Sequence, residues 1–329
     1  MHRSIAAGLA AAAILVAGTL APSQAAWAQT AGPKLSGSDQ KFFKQRKRVA
    51  IPAYHVTYIT QQQGTAVASI AARSRLNLML EGVDDATMQA LADEAHADLV
   101  AQFKAAGFDV LSDAEAVALT AGVAAAPNNR DVVAVGPSIT IGKSVKMGWT
   151  AMGAQAAPLL TPFHNPSNSP MGRMASMDAT GKLGGAARDA DAVAVIPQVV
   201  IDFADMEAKT GGDFLGRSSA GVSSNLRFGL RAGSGAQLVS AFDRGPAFAG
   251  GWSLLTDYPM AGSFATIQEG AAGVRVGSMG ATTDQNYQIK DRARGDAVVV
   301  DLPAWKGLVQ QAYRAQNAAI VAAAVKGRG

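Results

Sequence analysis

An α/β fold, with a mixed parallel and antiparallel sheet flanked by helices, is the class the sequence predicts. Three observations predict it. Between Arg48 and Gly122, β-branched runs alternate with helical periodicity, the order of a parallel start. From Ala192 to Val300, short strand-like runs follow one another across Gly-rich turns, which adds antiparallel strands. From Asp301 the chain returns to a helical apolar stripe. There is no cysteine, so a packed core must hold the fold, and a hydrophobic fraction of 49% supplies one.

The chain opens "MHRSIAAGLAAAAILVAGTLAPSQAAWAQT", with Arg3 as its only full charge before Lys34. A basic start, the apolar run Ile5 to Leu20 and the small-residue site Ala26-Trp27-Ala28 predict a secretory signal peptide over 1–28. The run is shorter than the ~20 residues a membrane span needs. The expected location is therefore periplasmic, by export through a cleaved signal, with no transmembrane span left. Cleavage removes Arg3 and no acid, so the formal charge falls from +4 to +3, too little for a nucleic-acid partner. The missing cysteine also excludes a lipid anchor, thiol catalysis and Cys-type zinc sites.

Residues 29–47 read as a flexible basic leader. "KFFKQRKR" (Lys41 to Arg48) holds five bases, expected to be solvated, with anionic lipid or peptidoglycan contact as the alternative. A single α/β domain is expected over 48–326. "RVAIPAYHVTYITQ" reads as a strand whose Pro52 marks an edge, bulge or end. "DDATMQALADEAHADLVAQFKAAG" is the clearest helix: Asp84 or Asp85 caps it, Met88, Leu91, Ala95, Leu99 and Phe103 share a face, and Gly107 ends it. "FDVL" is a short strand, and Asp113 opens a second helix. Residues 137–172, rich in Pro, Asn and small residues, read as a long loop-rich insertion. A helix over roughly Met174 to Arg188 leads into the long strand "DAVAVIPQVVIDFADME", kinked at Pro197. "SSNLRFGLR" and "AQLVSAFD" flank a Gly turn. Pro303 opens the final helix, with Leu308, Ala312, Ala315, Ala319 and Ala322 as its apolar stripe.

Four of these segments carry a resemblance. "RVAIPAY", "ADLVAQFKAAGFDVL", "LGGAARDADAVAVIPQVVIDFADME" and "NLRFGLRAGSGAQLVSAF" resemble the opening strand, first helix and second strand, helix-to-strand step and hairpin of the periplasmic TolB N-terminal and curli-secretion lipoprotein families. The resemblance covers about half of the mature chain and lies in pattern and turn chemistry. It implies an envelope protein that binds or assembles with other proteins and is not an enzyme. The secretion lipoproteins carry a lipid-bearing cysteine that is absent here, and the 137–172 stretch has no counterpart, so pore formation is not implied.

Several constellations suggest chemistry. "VVAVGPSITIGKSV" looks like a phosphate loop, but five residues separate Gly136 from Gly142-Lys143 where four are required, and Ile139-Thr140-Ile141 is stiff. A strand or hairpin is expected instead. "SDQK" (Ser38 to Lys41), "KTG" (Lys209 to Gly211) and "SSN" (Ser223 to Asn225) mimic the motifs of penicillin-recognising serine hydrolases, in the wrong order. Met171, Met174 and Met177, with His164 upstream, offer soft ligands for Cu(I), although three-residue spacing also makes a packed helix stripe. His96 falls just beside the apolar stripe and is expected to be partly exposed. Asp202 and Asp205 are expected on opposite faces of a strand, unsuited to acid–base pairing.

The sequence thus predicts a non-enzymatic periplasmic binding or assembly protein without a cofactor, whose partner is an envelope or outer-membrane protein. Trp149, Phe163 and His164 are its expected contact residues. The alternatives are a Cu(I) or small-ligand binder using Met171, Met174, Met177 and His164, and third, a serine hydrolase. Deleting Pro158 to Pro170 is expected to leave the fold intact.

Overall fold

The computed structural model describes residues 32–37, 41–46, 48–69, 73–131, 141–164, 170–212, 218–241, 246–270 and 294–328. The chain divides into Met1–Gly32 and Pro33–Gly329, and the description concerns the second unit. The signal-peptide stretch 1–28 lies outside the described residues, as does Ser38.

The elements are β1 (Leu35–Ser36), α1 (Lys41–Gln45), β2 (Arg48–Ala50), β3 (His55–Val67), β4 (Arg73–Glu81), α2 (Asp85–Ala105), β5 (Asp109–Val110) and α3 (Asp113–Ala118). Next come β6 (Asn129–Asp131), β7 (Gly142–Gly153), α4 (Thr161–His164), α5 (Pro170–Asp189), β8 (Ala192–Gly212) and β9 (Ser218–Leu230). The chain finishes with β10 (Gly235–Ala241), β11 (Ala247–Leu254), β12 (Tyr258–Pro259), β13 (Ala265–Gln268), β14 (Arg294–Val300) and α6 (Leu302–Arg328). The strands form one mixed sheet whose main path runs β1-β11-β10-β8-β3-β4-β14-β13. β2 and β3 lie parallel to β8, and β14 lies parallel to β4. β3–β4, β3–β7, β8–β9 and β8–β10 are antiparallel.

Helices cover both faces of one end of this sheet. Val193 and Val195 of β8 pack with residues of α2 and α6, whereas Ala194 and Ile196 pack with Leu183 and Ala187 of α5. A strand buried on both faces needs a continuous apolar run, and "AVAVI" is one. Pro197 sits between the two parallel partners of β8, because β2 ends at the Ala50–Ala194 pair and β3 begins at His55–Gln198. The Pro therefore faces the break between two ladders, and Pro52 lies in the chain that makes it.

The helix over 85–105 forms as its spacing predicts. Asp84 accepts the N–H of Thr87 at 2.8 Å, and Met88, Leu91, Ala95, Leu99 and Phe103 are buried. Each large apolar side chain there contributes about 1.5–3 kcal/mol by leaving water. α6 also forms, but its buried face differs from the expected alanine stripe. Ala322 is exposed, and Tyr313, Gln316 and Asn317 are buried. These polar groups are bonded: Asn317 donates to the Ala95 carbonyl at 3.0 Å and to Asp98 at 2.8 Å, and Gln316 donates to the carbonyls of Gln198 and Gly235.

Two expectations are corrected. The basic leader is structural in its second half: Phe42 and Phe43 are buried, and Phe43 stacks on Trp252 with centroids 5.6 Å apart. Its Arg46 is neutralised by Asp191 at 2.6 Å, as is Arg48 at the start of β2 by Asp109 at 3.0 Å. The 137–172 stretch contains β7, which pairs along the length of β3, and Leu159, Leu160 and Phe163 are core residues. The abundance of small residues reflects close packing there. A Cβ on Gly153 would stand 2.2 Å from the Leu159 nitrogen.

Beyond the helical body the sheet continues as a β arm. Because β3 and β8 run parallel, the β3–β4 hairpin with β7 and the β8–β9 ribbon extend toward the same end. Met206 of β8 and Val222 of β9 reach Gly64 of β3, where a Cβ would lie 2.4 Å from Val222 and 2.7 Å from the Met206 sulfur. The absent side chain lets the two layers close.

Candidate functional site

The structure brings together two of the three expected contact residues, and adds one that the sequence did not single out. His55 opens β3, Trp149 lies in β7 and His164 ends α4. The ring of His164 stands perpendicular to His55 with centroids 5.6 Å apart, and edge-on to Trp149 at 5.3 Å. Trp149 and His164 are half-buried, while His55 is fully buried. Phe163 is 1% exposed and packs in the α5-side core, so it offers no surface to a partner. Its carbonyl accepts from the side-chain amides of Gln198 and Gln237.

The protonation of His55 follows from its bonds. Nε2 accepts the N–H of Leu160 at 3.1 Å, so the proton of the neutral ring is on Nδ1. That Nδ1 is buried without a hydrogen-bond partner. Burial, and secondarily the neighbouring His164, pushes the His55 pKa down to about 3. Burial also holds His164 below the ordinary histidine value. The cluster is thus a neutral imidazole pair with an indole wall. A metal at His55 would need the Nδ1 lone pair, which the Leu160 bond places out of reach of a neutral ring.

The other expected ligands are placed as follows. Met171, Met174 and Met177 all fall in α5, and Met177 is 73% exposed, so at that position the three-residue spacing does not make a core stripe. The side chains of Met171 and Met174 lie outside the described residues. His96 is buried at 4% exposure, contrary to its expected half-exposed position, and faces Asp113 at 3.8 Å.

The carboxylates separate as the strand alternation predicts. Asp202 is buried and accepts from Gln62 at 2.6 Å, Arg231 at 2.6 Å and the Phe203 N–H at 2.8 Å. Burial raises its pKa against the opposing pull of Arg231. Asp205 and Glu207 are exposed, and Glu207 is held by Lys209 at 2.8 Å. The "KTG" and "SSN" stretches fall on the facing strands β8 and β9, with Ser223 opposite Glu207 on the ribbon's outer face. Lys143 and Ser144 of the phosphate-loop look-alike are strand residues paired with Ala66 and Thr65, so their backbone bonds serve the sheet.

Sequence reasoning missed the amide cluster of Gln61, Gln62, Gln63 and Asn77, all at most 4% exposed. Gln61 donates to Asn77 at 2.8 Å, and Gln62 also reaches the Ala204 carbonyl at 2.7 Å. The signal was available: three consecutive glutamines directly follow a β-branched run, where a strand has no reason to stop.

Among the described residues, no helix is long and apolar enough to cross a membrane. Compared with protein-family models, curated proteins and solved structures, the chain finds no match.

Proposed function

We propose that the protein is an exported, periplasmic protein of the cell envelope that works by binding and assembly with other proteins rather than by catalysis. The observation that carries this reading is the β arm. A helix-covered body is sufficient to bury a core, yet the sheet continues past it as two stacked layers joined through Gly64, Met206 and Val222. An extension of this kind presents strand surface instead of enclosing a cavity. The buried titratable side chains support the same reading, since Asp202 and His55 are committed to bonds with their own chain. The resemblance to the TolB N-terminal and curli-secretion families points in the same direction.

The test is crosslinking of the tagged, exported chain in its own cell envelope, with partners identified by mass spectrometry. One dominant envelope partner, lost when Gly64→Val separates the arm layers, is the expected result. Recovery of no partner overturns the assembly reading. The copper alternative retains one favourable observation, the exposed Met177 thioether on the helix that also carries Met171 and Met174. Cu(I) titration of the chain and of its Met171/Met174/Met177→Leu variant decides it: tight binding in the first and none in the second would establish the metal site.

A further inference from the structure

The free end of the β arm combines unneutralised bases with exposed apolar side chains. Its three strands finish level with one another, because Val67 of β3 pairs with both Arg73 of β4 and Gly142 of β7. Residues 61–67, 73–79 and 142–148 contain Arg73, Arg75, Lys143 and Lys146 and no acid. Arg73, Lys143 and Lys146 are exposed and make no ion pair among the described residues. Elsewhere in the fold several arginines are matched, Arg46 with Asp191, Arg48 with Asp109, Arg227 with Asp257 and Arg231 with Asp202, whereas Arg314 and Arg328 of α6 make no ion pair among the described residues. Among the described residues of the neighbouring ribbon, the exposed acids Asp205 and Glu207 already face Arg227 at 3.9 Å and Lys209 at 2.8 Å.

The apolar part lies within the same few residues. Six large hydrophobic side chains are exposed among the described residues, and two of them, Ile141 at 72% and Val145 at 36%, bracket Lys143. Arg73 and Lys143 stand at the end of the described strands, and Lys146 lies about 10 Å back from Lys143 along β7 at ~3.4 Å per residue. A soluble polyanion would use the bases and leave Ile141 in water. A bilayer surface uses both, because headgroups meet the cations while the apolar side chains enter the acyl boundary.

We propose that this end of the β arm docks end-on on an anionic lipid surface, with Arg73 and Lys143, from opposite faces of the sheet, at the headgroups, Ile141 reaching just beneath them, and Val145 and Lys146 further back along β7. Contact with anionic lipid, the alternative that the sequence offers for the leader's otherwise solvated bases, is thereby assigned to a different part of the chain. The proposal goes beyond the assembly reading and does not rest on it, since no protein partner is required.

The test is sedimentation of the full chain, purified after export, with vesicles of phosphatidylcholine alone or containing about 30% phosphatidylglycerol. Binding is expected only to the anionic vesicles and should weaken from ~50 to ~500 mM salt as the charges are screened. Each base near the surface is worth about five-fold in affinity, so Arg73→Glu/Lys143→Glu/Lys146→Glu should lower binding by more than ten-fold. Ile141→Ser/Val145→Ser should lower it several-fold at both salt concentrations. Circular dichroism checks that both variants fold, and if the triple variant does not, Lys143→Glu alone carries the charge test. Lys41→Glu/Lys44→Glu in the leader should have no effect. Equal binding to neutral vesicles, indifference to the charge variants, or loss with the leader variant instead would overturn the proposal. So would full competition by soluble polyphosphate together with indifference to Ile141→Ser/Val145→Ser, which would indicate a polyanion site.

Discussion

The body and the arm are built on the same strands but obey different rules. β8 shows this within one element. From Ala192 to Ala204 nearly every residue is buried, because helices or strands cover both faces. From Asp205 onward exposed Asp205, Glu207 and Lys209 alternate with buried Met206 and Ala208, because only one face is covered. Alternation in a sequence therefore reports the number of covered faces, which can change partway along a strand. In the body stability comes from apolar contact on two sides. In the arm it comes from one apolar seam at Gly64 and from side-chain bonds such as Gln62 to Asp202.

The largest expected effect breaks the body. Deleting Pro158 to Pro170 removes Leu159, Leu160 and Phe163 from the core, and the expected outcome is loss of cooperative unfolding in urea. Phe163→Ala alone should cost about 3–5 kcal/mol.

Acid should act on the body next. The His55 pKa is depressed to about 3 in the fold against 6.5 for a free ring, so the unfolded chain binds the proton more readily. Its stabilising contribution is complete above pH 6.5 and is lost as pH falls toward 3, with an upper limit of about 5 kcal/mol. Denaturation midpoints measured between neutral pH and pH 4 should fall, and His55→Gln, which keeps an acceptor for Leu160, should flatten the slope. An unchanged slope in that variant would move the effect to His96 or His164, both also depressed by burial.

Smaller effects probe the arm. Gly64→Val should cost roughly 1–3 kcal/mol through overpacking. Hydrogen exchange should then accelerate in 204–212 and 218–226 while α2 stays protected. Acceleration throughout the chain would mean that the arm and body unfold as one unit. Least of all, Glu207→Ala removes an exposed ion pair with Lys209 and should shift stability by less than about 0.5 kcal/mol.

Much of the fold was legible in the residues. The helix from Asp85 was legible because its cap and its stripe are local, and so was the mixed character of the sheet; the order was not, since β3 and β4 already pair antiparallel and the last strand β14 pairs parallel to β4. The candidate site was legible only in part. Trp149 and His164 do meet directly, and His55 joins them at His164, its own bond being to Leu160, 105 positions away. Phe163 was misplaced because an aromatic among Pro and Asn residues looks exposed until α5 closes over it. The leader was misread for a related reason: its bases dominate the composition, while Phe42 and Phe43 determine its position.

By itself the sequence determined the class of the fold, the span and register of its best-capped helix, and the absence of cysteine chemistry, since these follow from spacing and composition within short windows. Tertiary structure alone decided which polar side chains are buried and which bases remain without a counter-charge. Burial and neutralisation are properties of pairs. Gln62 and Asp202 are 140 residues apart, and Arg46 and Asp191 are 145 apart, so no local window contains both partners.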